Sequence, residues 1–151
     1  MPGTRADLIS TLTLVFTLAA PVITWWSFQV ARRREHARHK RIQTVLLLAC
    51  FASVLAFEVR IRLAGGSGSL IAQAPPHLLR PARALLGLHI SVAALTYLGW
   101  LALLLPSRRR FTKTLPGDFS RTHKRLGLAV FGGLLVSAVS AAGMYLLAFV
   151  L

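Results

Sequence analysis

Acidic side chains are almost missing from this chain: four in 151 residues, Asp7, Glu35, Glu58 and Asp118. No paired catalytic carboxylates can be drawn from so few, and no phosphate loop, nucleophile elbow or CxxC motif replaces them. An ordinary hydrolase or transferase is therefore not expected, and the chain reads as a non-enzyme. Cysteine is as scarce. Cys50 is alone, so no disulfide within the chain is possible, and its place mid-run predicts a packed thiol.

What the chain has instead is apolar length and positive charge. Hydrophobic residues make up 55% of it, and the formal net charge is +14. Such a charge can signal nucleic acid. Here the basic residues lie between apolar runs too long for a soluble core, so the expected partner is a lipid bilayer and not nucleic acid.

Four runs stand out: Leu8 to Val30, Ile42 to Val59 interrupted only by Glu58, Ala84 to Leu105, and Leu126 to Leu151. A bilayer core of ~30 Å needs about 20 helical residues, and inside lipid each segment must satisfy its own backbone. The expectation is an all-α integral membrane four-helix bundle, one domain over 1–151, with helices at about 8–30, 42–62, 82–105 and 126–150. The first run continues past Pro21 through "VITWWSFQV", which argues for a retained helix, bent at that proline, over a cleaved signal.

Thirteen of the 18 Lys and Arg residues fall in two loops, Ala31 to Arg41 and Pro106 to Arg125. The positive-inside rule puts both loops in the cytoplasm, and both termini outside. Trp25, Trp26 and Trp100 are expected at the inner interface. The outer loop, Leu63 to Pro81, reads as an irregular linker. The chain is then two helical hairpins of one plan, which could be a parallel internal repeat, although any two membrane hairpins share that plan. Ala129, Gly133, Ser137 and Ala141, four residues apart, form a stripe suited to close helix packing.

Two groups of ionisable residues are candidates for function. Glu58 and His89 lie at matched depth, each ~8 Å toward the outer face, and could share a proton, bind a metal ion or hold a cofactor edge. Against this, Glu58 is well spaced to pair with Arg62 on its own helix. At the inner side "ARHKRIQ" and "RTHKRLG" each carry His-Lys-Arg before an apolar run. His39 and His123 therefore also match in depth, with His36 one turn before His39. Two histidines on separate helices at one level suit bis-histidine haem ligation, and imidazoles also accept copper or zinc. The plain alternative is that basic loops collect such residues to meet anionic head groups.

The order of "HKR", "FEVRIRLAGG", "LLGLHIS", "RRFTKTLPGDFSRTHKRLG" and "GMYLLAFVL" resembles the small four-helix bacterial membrane family filed as domain of unknown function 420, from about Arg34 onward. Where that family often carries an aromatic residue near Glu58, this chain has the acid. The resemblance implies a protein of the bacterial cytoplasmic membrane that helps to make active haem-copper respiratory oxidases, with haem or copper as cofactor. The positions it matches are His39, Glu58, Arg62, His89 and His123. Its rivals are a b-type electron carrier with haem between His39 and His123, and a structural subunit of a respiratory complex.

Overall fold

The computed structural model describes residues 8–66, 68–71, 75–110 and 119–149. Four long helices carry the fold: α1 (Leu8–Arg32), α2 (His36–Leu63), α3 (Leu79–Arg110) and α4 (Phe119–Phe149). All four are long and apolar enough to cross a membrane, which makes this a multi-pass membrane protein with an all-α bundle. Among the described residues there is no strand.

The helices outrun the apolar segments. α2 begins at His36 instead of about residue 42, α3 covers 79–110 instead of 82–105, and α4 begins at Phe119 instead of about 126. The reason is that Arg, Lys and Leu are good helix formers, and a helix does not stop where lipid stops. Long basic side chains extend it into the head-group layer while their heads stay wet. Pro21 and Pro106 both sit inside helices, at the cost of one backbone hydrogen bond each. The outer linker is less irregular than its composition predicts. It holds a helical turn at Gly68–Ile71 and a 3-10 turn at Pro76–Leu78.

Two helix ends are closed by the same device. After α2, Gly65 (φ 98°) takes the left-handed conformation, Gly66 N–H reaches Ile61 O at 2.9 Å, and Gly65 N–H reaches Arg62 O at 3.3 Å. These are the paired bonds of a Schellman cap, and glycine suits the left-handed position. After α1 the bonds recur, Glu35 N–H to Val30 O at 3.3 Å and Arg34 N–H to Ala31 O at 3.0 Å, but the left-handed residue is Arg34 (φ 65°).

Each hairpin packs closely on itself, α1 on α2 and α3 on α4. The hairpins join chiefly through α1 and α4, and only lightly through α2 and α3. That leaves α2 and α4 on a diagonal. All four helices supply the core: Ala20, Leu46, Leu47, Cys50, Trp100, Val130 and Leu134. Cys50 is packed as expected, but Trp100 is no interface anchor. It is buried at 3% exposure and stacks on Tyr97, whereas Trp25 and Trp26 are half exposed beside Arg32 and Arg38. Leu48, Leu95 and Val139 point outward, as suits contact with lipid.

Of the small-residue stripe, Gly133 and Ser137 pack inward, while Ala129 is exposed and Ala141 half-buried. A Cβ on Gly133 would run into the Thr96 side chain, so α3 and α4 approach at a distance that only glycine permits there.

Candidate functional site

The tight α1–α2 turn sets Ser27, near the end of α1, against His39, on the first turn of α2. Nδ1 of His39 lies 2.8 Å from Ser27 Oγ and 2.9 Å from Ser27 O. A carbonyl only accepts, so Nδ1 carries the proton. The second hairpin repeats the arrangement. α3 runs on past Pro106 to Ser107, whose hydroxyl donates to Leu103 O at 2.6 Å. Its oxygen then accepts from His123 Nδ1 at 2.9 Å. In both histidines the proton is on Nδ1, which leaves Nε2 as the nitrogen with the lone pair.

The two imidazoles meet across the bundle diagonal. Their ring centres are 6.3 Å apart and their planes are at 83°. Phe28 lies 6.5 Å from His39, Phe119 lies 6.2 Å from His123, and Phe131 packs on both Phe28 and Trp25. One helical turn deeper on the same faces come Thr24 after Ser27 and Gln43 after His39. Both are buried, and Thr24 Oγ1 and Gln43 Nε2 have no hydrogen-bond partner. Gly127, at the same level on α4, adds no side chain.

The ring separation suits an ion between the two rings. Imidazole–metal bonds are about 2.0–2.1 Å, and a ring centre lies roughly 1 Å behind its nitrogen, so two imidazoles on opposite sides of one ion have centres about 6–6.5 Å apart. Two such nitrogens can serve as the axial ligands of haem iron, or hold a copper ion. Among the described residues no three or more His, Cys, Asp and Glu side chains cluster, so a structural zinc site made wholly of protein ligands is not built.

Glu58 and His89 share depth but not a site. Glu58 is exposed and ion-pairs with Arg62 at 2.7 Å. His89 turns to α4, where its Nδ1 lies 2.9 Å from Ser140 Oγ. Among the described residues the two make no hydrogen bond or ion pair with each other. His36 is exposed at the start of α2, and His77 is exposed on the 3-10 turn.

The residues that sequence reasoning missed are the hydroxyls. Ser27, Ser107 and Ser140 each orient one membrane histidine. A faint signal existed, since "WWSFQ" and "LPSRRR" each put a serine at the basic end of the helix preceding a His-Lys-Arg triplet. Comparison with protein-family models, with curated proteins and with solved structures finds no match to this chain.

Proposed function

We propose that this chain is a non-enzymatic accessory protein of the bacterial cytoplasmic membrane that holds haem or copper between His39 and His123 and serves the assembly of a haem-copper respiratory oxidase. The observation that carries the proposal is the meeting of the two imidazoles, one from each hairpin, each oriented by a serine on the preceding helix. Orientation of a ligating histidine through its second ring nitrogen is the usual support of a metal site. Serine orientation alone does not mark a ligand, since His89 has it too; among the described residues only His39 and His123 combine it with the meeting of two imidazoles. The oxidase partner rests on the resemblance of "LLGLHIS" and "SRTHKRLG" to the family of domain of unknown function 420. On this reading His89 and Ser140 pack α3 to α4, and Glu58 pairs with Arg62 along the last turns of α2.

The test is the haem and copper content per polypeptide of protein purified in mild detergent, without chelators, from cells supplied with both. Near-stoichiometric ligand, lost in His39→Ala and in His123→Ala, is expected. Cells lacking the chain should make oxidase subunits but little active oxidase, with activity restored by the wild type and not by His123→Ala. An empty protein, together with full oxidase activity in its absence, would sink the proposal.

A further inference from the structure

The turn between α1 and α2 keeps a strain that the turn after α2 avoids. Both close with the same pair of backbone bonds, yet the left-handed position is Gly65 after α2 and Arg34 after α1. Glycine takes that backbone freely, and a residue with a Cβ does not. A strained residue that persists where glycine would relieve it points to a use for its side chain. Arg34 completes a run of three exposed arginines, Arg32, Arg33 and Arg34. The acid beside them does not neutralise them, because Glu35 pairs with Arg38 at 3.1 Å. Among the described residues none of the three has an ion pair.

The run borders the lipid. α1 ends at Arg32, whose guanidinium folds back to lie 6.0 Å from the centre of the Trp25 ring, seven residues deeper. The Arg38 guanidinium, from α2, lies 5.4 Å from the centre of the Trp26 ring. Val22 precedes the two tryptophans by one turn on the same face and is 68% exposed. Guanidinium, indole and aliphatic surface therefore follow one another from the turn into the membrane, in the order of a phospholipid read from phosphate to acyl chain. Three adjacent guanidiniums repel one another, and a single phosphodiester leaves most of that charge unbalanced, whereas two phosphates nearly balance it. Independently of His39 and His123, we propose that the α1–α2 turn is a specific site for a doubly charged phospholipid of the inner leaflet. Arg32, Arg33 and Arg34 hold its two phosphates, and Trp25, Trp26 and Val22 lie along its acyl chains. The general pull of a basic loop on an anionic surface differs in kind, since it follows the number of charges and not which residue carries them.

The experiment is native mass spectrometry of the full-length protein in mild detergent. It is titrated with diphosphatidylglycerol, with phosphatidylglycerol at matched total charge, and with inorganic pyrophosphate. One diphosphatidylglycerol per chain is expected, held about tenfold more tightly than phosphatidylglycerol, with pyrophosphate far weaker. Arg34→Gly should weaken its binding about tenfold, the loss of a charge-assisted phosphate contact, while the protein melts no lower. Arg34→Asn, which tolerates the left-handed backbone, should bind as weakly and guards against a misfolded glycine variant. Arg121→Gln removes one exposed charge from the other hairpin and should bind as the wild type does. Equal losses in Arg34→Gly and Arg121→Gln reduce the effect to general charge attraction and overturn the proposal. Equal retention of the two lipids overturns it as well. Pyrophosphate held as tightly as diphosphatidylglycerol overturns the lipid as ligand, since the indoles would then contribute nothing.

Discussion

Three histidines in this bundle share one habit: Nδ1 of each meets a serine hydroxyl on another helix. The habit makes a direct prediction. Ser107→Ala removes the acceptor from His123 and should weaken ligand binding by about 10–100-fold while the helices stay formed. Titration alongside circular dichroism would separate the two effects. Arg34 offers a test of the turn. Its left-handed backbone is strained by about 1–2 kcal/mol in a residue with a Cβ. Arg34→Gly should therefore raise thermal stability by up to about 1 kcal/mol once the extra freedom of glycine in the unfolded chain is subtracted. An unchanged or lowered Tm would count against the strain. At this scale the sequence was half legible. His39 and His123 stood out because a histidine at a membrane edge is not required by charge topology. Ser27 and Ser107 did not stand out, because serine is ordinary in membrane helices and its partner is known only once two helices are docked. The Glu58–His89 pairing failed for a related reason. Depth along a helix is one coordinate, and the direction around the helix axis, which turns Glu58 outward and His89 toward α4, is another.

At the scale of the helix, apolar run length located all four spans but not their ends, because basic residues carry helices well past the lipid core. The small-residue stripe was legible as packing, though only its inward members use it. Gly133→Val should force α3 and α4 apart against Thr96 and destabilise the protein by roughly 1–3 kcal/mol, read as a lowered midpoint of thermal unfolding in detergent. Glu58→Gln provides the contrast. Its pair with Arg62 lies within a single helix and holds no two helices together, so the bundle should stay folded, and haem or copper content should not change. A large loss of bound ligand in that variant would restore Glu58 as a site residue.

For the whole molecule, the uneven seams between hairpins matter most. α1 and α4 are tied by the ring contacts of Phe28 and Trp25 with Phe131 at one end and by the Thr11–Tyr145 hydrogen bond toward the other. α2 and α3 touch far less. The protein is built like a book, with α1 and α4 as its spine and the open edge between α2 and α3. His39 rides on the free helix of one hairpin and His123 on the spine helix of the other, so whatever binds both is a clasp. Ligand at a hundred times its dissociation constant should add about 2.7 kcal/mol to the stability of the closed form. The same ligand should slow labelling or proteolysis along the α2–α3 edge far more than along the spine. A clasp also works in reverse. Prising that edge open pulls one histidine from the other, so a partner that docks there could take the ligand out without competing for it atom by atom.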